Sequence, residues 1–156
     1  MYQQNQSIIY PLPTDALLQE REVAWRVKLP DDYKEFIKKE NGVIPSKRYF
    51  HFENNEKVID RFLAILAISG EKTEEDYDIG VVSTQLEGRI VFDEDSVGMQ
   101  LIPIAALFGG DFLCLNYAEE AEHPSICIWY HEESYELEPA IEFVANNFTE
   151  FLAKLY

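Results

Sequence analysis

The stretch LIPIAALFGGDFLCLNY, Leu101 to Tyr117, decides how the rest of the chain must be arranged. It opens with an apolar run closed by Pro103, crosses a short connector to Gly109-Gly110-Asp111, and re-enters an alternating segment. Two adjacent glycines allow the positive φ that a tight turn feeding a strand needs. From Phe112 onward, Phe112, Cys114 and Asn116 share one face, and Leu113, Leu115 and Tyr117 the other. A period of two with both faces largely apolar predicts a strand in the middle of a covered sheet. The stretch holds no catalytic motif, so it specifies a fold class and no chemistry.

On its C-terminal side, an acidic loop from Ala118 to Pro124 leads to a pairing strand, Ser125 to His131. A brief extended piece, Ile141 to Val144, follows. Asn146 or Asn147 then caps a last helix whose apolar face is Phe148, Phe151, Leu152 and Leu155. On its N-terminal side, residues 1–13 read as a loosely held arm stopped by Pro11 and Pro13, with the domain proper over 14–156. Thr14 is a good N-cap for a helix to about Trp25, with Leu17, Leu18, Val23 and Trp25 available for burial. Leu29-Pro30-Asp31-Asp32 opens a second helix, with acids at its positive end, Lys38 and Lys39 at its negative end, and Asn41-Gly42 as its stop. Tyr49 to Phe52 reads as a short strand and Val58 to Ile68 as a longer one, favoured by its β-branched and aromatic residues although Ile59, Phe62, Leu63 and Leu66 also suit a helix. The acidic loop Glu71 to Asp78, a short helix through Ile79, Val82 and Leu86, and a connector from Arg89 to Gly98 complete the chain.

The 156 residues suit a single domain that buries roughly 70% of its unfolded surface. Net charge is −16 and unevenly placed: residues 71–156 hold nineteen acids against Lys72, Arg89 and Lys154. Such a field repels nucleic acid and anionic membrane and attracts basic partners. The start of the chain has neither a basic nor an apolar signal region, and the longest apolar run, Phe62 to Ile68, is too short to span a bilayer. Cys114 and Cys127 fall in predicted strands and read as buried free thiols of a reducing cytosol, so a cytoplasmic location is expected.

The residues that invite a catalytic or metal reading do not combine into a site. Cys127 and His131 have ligand-like spacing, but four residues of strand span about 13 Å, too far to share a metal. His123 sits in a loop before Pro124 and has no evident partner, and His51 is the third histidine. Asp93-Glu94-Asp95 lacks the glycine and closing glutamate of a calcium loop. Glu132 and Glu133, as neighbours on a strand, would point to opposite faces. No nucleophile elbow or phosphate loop occurs. The expectation is a protein without catalytic residues, metal or cofactor.

The blocks LPDDYKEFIKKENG (Leu29 to Gly42), LIPIA (Leu101 to Ala105), GGDFLCLN (Gly109 to Asn116), ICIWYHE (Ile126 to Glu132) and FVANNFTEFLAKL (Phe143 to Leu155) resemble, in order and spacing, the SUKH superfamily and its Smi/Knr-type members. The chain departs from that pattern at Asn116, where the family usually has aspartate, at the His123-Pro124 turn, and over residues 1–13. The resemblance implies an α+β domain with a mixed, mainly antiparallel sheet and packed helices. It implies that Leu29, Pro30, Tyr33, Phe36 and Gly42, with Pro103, Gly110, Trp129, Phe148 and Phe151, are fold determinants. It also implies a non-catalytic binding module. Bacterial relatives are commonly immunity proteins that neutralise a polymorphic toxin, often a nuclease or deaminase, and a fungal branch regulates cell-wall synthesis. The expected partner is therefore a basic toxin domain, or on the alternative a host enzyme held by a regulatory scaffold. The acids expected to meet it are Asp93, Glu94 and Asp95 in one loop, Glu119, Glu120 and Glu122 in another, and Glu132 and Glu133 after a strand. Loops at a common sheet edge would gather them into one patch, and the alternative is that they are dispersed and only keep the protein soluble.

Overall fold

In the computed structural model, which describes residues 6–67, 76–93, 98–120 and 122–156, two helices precede the sheet. Thr14 accepts a hydrogen bond from the Leu17 N–H at 3.1 Å and so caps α1, Asp15–Trp25. Leu18 is buried, whereas Val23, expected inside, faces solvent. It lies five residues on, about 140° round the helix from Leu18. Helix α2, Asp31–Glu40, starts from Pro30 in the capping position and buries Tyr33 and Ile37. Gly42 follows at φ +69°, the left-handed backbone that ends the helix.

The sheet is a six-stranded meander whose spatial order is the chain order: β1 Tyr49–Phe52, β2 Asn55–Phe62, β3 Leu101–Leu107, β4 Phe112–Asn116, β5 Ser125–Trp129 and β6 Ile141–Ala145. Among the described residues all five ladders are antiparallel, and the isolated bridge of Ala64 to Asp78 is parallel. β4 is buried on both faces as expected, between β3 and β5. Pro103 does not close the run before it. β3 continues to Leu107, and the register shifts between Pro103 and Ala105. A bulge there accommodates a residue without an N–H inside the sheet. Gly109 at φ +102° and Gly110 at φ +96° make the turn into β4.

β2 begins earlier than expected and ends at Phe62. Leu63 to Leu66 are buried, but side chains satisfy much of their backbone. The buried Asn41 amide accepts from Ile65 N–H at 2.8 Å and donates to the carbonyls of Ile9 and Ile65. Asp78, read as the end of an acidic loop, is buried: it accepts from Leu66 N–H at 2.9 Å and from Val81 N–H at 3.2 Å. It thereby caps α3, Ile79–Leu86, which runs into the 3-10 turn Glu87–Ile90. Residues 6–13 are fastened rather than loose, because Ile9 is buried and Arg61 donates to the Ser7 and Gly42 carbonyls. Ile68 and Glu71 lie outside the described residues.

Asn147 caps α4, Phe148–Ala153, by accepting from Glu150 N–H at 2.8 Å. Phe62, Ala105, Leu113 and Ile128 form one row across the sheet. α2 and α4 cover that face: Phe36 meets Phe62 and Phe148 edge-on at 4.8 and 5.1 Å, and Tyr33 meets Phe148 at 5.1 Å. On the other face the indole of Trp129 donates to the Arg89 carbonyl at 2.9 Å, and the Arg89 guanidinium lies 5.2 Å from that ring. The residues of the resemblance divide cleanly. Leu29, Tyr33, Pro103, Trp129, Phe148 and Phe151 are buried, Pro30 and Phe36 half-buried, and Gly42 and Gly110 supply positive φ. At the outer margin of β1, Tyr49 and Tyr156 exchange backbone hydrogen bonds of 3.1 and 2.9 Å.

Candidate functional site

An antiparallel meander sends successive connections to opposite ends of its sheet. That rule separates the acids expected to act together. Glu119, Glu120 and Glu122 are exposed on the β4–β5 connection. Glu132 and Glu133 are exposed on the β5–β6 connection, beyond the other end of β5. Five residues of strand put about 16 Å between the two groups. Asp93 belongs to the β4–β5 end, since its N–H reaches the side chain of Gln100, whose carbonyl accepts from Tyr117 N–H. Glu94 and Asp95 lie outside the described residues. The expected single patch is thus two acidic surfaces.

The β4–β5 end carries an open cleft of about 570 Å³ lined by Lys28, Pro30, Asp31, Glu122, His123 and Asn147 among others. Asp32 ties its walls by accepting from the Thr149 N–H at 2.9 Å and hydroxyl at 2.7 Å. The Tyr117 hydroxyl beneath donates to the Lys28 carbonyl at 2.7 Å. Cations and anions are mixed there, and Asp31, Asp32 and Asn147 are already paired with the body.

Three turns meet at the other end: residues 53–54, 108–111 and 130–140. The His131 N–H donates to the Asp111 carboxylate at 2.8 Å, joining two of them. Phe108 N–H donates to the Val58 carbonyl at 3.0 Å, and the Lys57 ammonium sits 5.7 Å over the Tyr130 ring. Burial raises the Tyr130 phenol to about 12, and the carboxylates of Glu142, Asp111, Glu133 and Glu53 add to the shift. Phe108 stands 60% exposed at the head of its turn, with the Arg48 guanidinium 5.3 Å from its ring. Sequence reading missed Glu53, Phe108, Asp111, Tyr130 and Glu142 as members of this surface. Counting strand direction through the Gly109-Gly110 turn was the signal that places them.

The groups considered for chemistry are held apart. Cys127 is paired across the ladder with Cys114, and both are buried free thiols whose pKa burial pushes up, Cys127 to about 12. His131 lies in the exposed turn beyond, its Nδ1 3.4 Å from Arg89. Arg89 also donates to the carbonyls of Ser134 and His131, which pins the β5–β6 connection. His51 Nε2 is 2.8 Å from the Tyr156 hydroxyl, which also meets Glu56. Glu132 and Glu133 occupy a turn rather than a strand. Among the described residues, no group of three or more His, Cys, Asp or Glu side chains could hold a metal ion. Among the same residues, no helix is long and apolar enough to cross a membrane.

No curated protein matches the chain. A family does: SUKH_6, described as SMI1-KNR4 cell-wall, matches residues 15–152, which spans both helices before the sheet, all six strands and all but the last residue of α4. With that match over an α+β domain of the architecture the resembling blocks imply, the chain belongs to the SMI1-KNR4 family of the SUKH superfamily.

Proposed function

We propose that the chain is a non-catalytic, cytoplasmic binding protein of the immunity type, which covers a basic toxin domain of nuclease or deaminase chemistry and so neutralises it. The carrying observation is the surplus of nineteen acids over three bases in residues 71–156, on a member of this family. An enzyme that handles nucleic acid needs a cationic surface for phosphate, and an acidic protein competes for that surface by the same electrostatics. The test is to isolate the chain with its bound partner from the native cell and titrate the partner's activity. Loss of that activity at equimolar ratio supports the reading. Binding that leaves the activity intact, or raises it, overturns it.

A second reading has one observation in its favour. The family description names the cell wall, which supports a regulatory scaffold that holds a host enzyme. The same titration separates the two, because a scaffold's partner keeps its turnover.

A further inference from the structure

The two acidic ends of the sheet are not equivalent, and the difference bears on where a partner sits. Interfaces draw most of their binding energy from a few large, well-placed side chains, aromatics above all, ringed by polar groups. At the β4–β5 end Tyr117 is buried and Trp25 and Phe92 are half-buried, so no aromatic described there stands as exposed as Phe108. At the opposite end Phe108 is 60% exposed and Tyr130 half-buried, either side of the Gly109-Gly110 turn. The rings there already receive cations: Lys57 over Tyr130 at 5.7 Å and Arg48 over Phe108 at 5.3 Å.

The charge at this end is unbalanced. Arg48 also donates to the Ile59 and Asp60 carbonyls, and Arg89 to those of Ser134 and His131. Among the described residues, none of Glu53, Asp111, Glu132, Glu133 and Glu142 is in an ion pair. Glu53 comes from the charge-neutral first half of the chain, so this surface is a product of the fold rather than of the acidic segment alone.

We infer that the end of the sheet formed by Phe108, Tyr130 and the carboxylates Glu53, Asp111, Glu132 and Glu133 is the docking surface, and that its occupant is a protein segment presenting arginine or lysine beside apolar side chains. The apolar stems of such a segment pack on the rings while its charged heads reach the carboxylates. This assignment rests on the binding reading above and selects one of the two acidic ends for it.

The probe is a short synthetic peptide of alternating arginine and leucine, titrated at low ionic strength into the isotope-labelled full chain and followed by amide NMR shifts. A peptide of alternating glutamate and leucine serves as control. The expected result is saturable shifts centred on Gly109, Gly110 and His131, with none from the control. Phe108→Ala should weaken binding about thirtyfold, the lower end of the range for a hot-spot side chain. Glu132→Gln with Glu133→Gln should also weaken it, while Glu119→Gln with Glu120→Gln and Glu122→Gln leaves it unchanged. Phe108 is exposed, so its replacement spares the fold, and an unaltered melting temperature checks this. Shifts centred on residues 118–123, or affinity indifferent to Phe108→Ala, overturn the assignment and leave the binding reading standing. No saturable shift at any residue overturns both.

Discussion

Asn41 is fully buried and serves three backbone groups: the carbonyls of Ile9 and Ile65 and the Ile65 N–H. Replacing it leaves those groups without partners in a place water does not reach, which costs more than the bonds themselves contribute. Asn41→Ala should lower stability by about 2–4 kcal/mol in chemical denaturation. It should also make residues 6–13 the first site of proteolysis in the native protein. Phe36 is a milder case. Its ring touches Phe62 and Phe148 but is only half-buried, so Phe36→Ala should cost about 2–3 kcal/mol, less than the roughly 3–5 kcal/mol of a wholly enclosed phenylalanine. At this scale the apolar residues were legible, since Tyr33, Phe148 and Phe151 follow helical spacing. Asn41 and Asp78 were not. Their sequence settings, before a glycine and at the end of an acidic run, are those of exposed turns. Only the folded chain shows which backbone groups they face.

Strand and helix periods located β4, β5, α2 and α4 closely, because each has an apolar pattern that only one period fits. β2 and β3 were misjudged at their ends for a shared reason. In both, the chain's hydrogen bonds are satisfied in ways that local pattern does not display: by Asn41 and Asp78 after Phe62, and by a bulge at Pro103. The β4–β5 ladder sets Cys114 against Cys127. Both thiols are held protonated by burial, Cys127 moving from 9.0 to about 12. In the unfolded chain the thiol ionises near 9, whereas the native chain keeps its proton until about 12. The unfolded state therefore binds fewer protons in that window, and stability should fall as pH rises from about 9 towards 12. Denaturation midpoints against pH should show this decline, less steep in Cys127→Ala. A chromogenic disulfide reagent in mild alkali should label the thiols only as fast as the protein unfolds.

For the whole molecule, the charge asymmetry along the chain was plain to read and its arrangement in space was not. Placing Glu119 and Glu133 on one surface required that consecutive loops lie together, and an antiparallel order forbids it. The family's fold was legible from its blocks because those blocks are the core elements. The surface inferred to meet a partner is assembled from three turns with no shared motif. Steering by a net charge of −16 should make association with a basic partner fast at low salt. Its on-rate should fall about ten-fold or more between low and moderate ionic strength. Stopped-flow mixing would measure this, and a flat salt response would rule out electrostatic steering.

The reciprocal backbone bonds between Tyr49 and Tyr156 act on a different scale from any of these sites. A sheet that does not close on itself has two selvedges, each with a row of donors and acceptors that a foreign strand could extend. Here one selvedge is hemmed by the chain's own Tyr156, whose ring also stacks on Tyr49 and His51. The other, β6, keeps Phe143 58% exposed and has no second neighbouring strand among the described residues. Removing Tyr156 would unpick the hem and leave both sides open. In sedimentation velocity, the shortened chain should show concentration-dependent assembly under conditions where the full chain sediments at a constant rate.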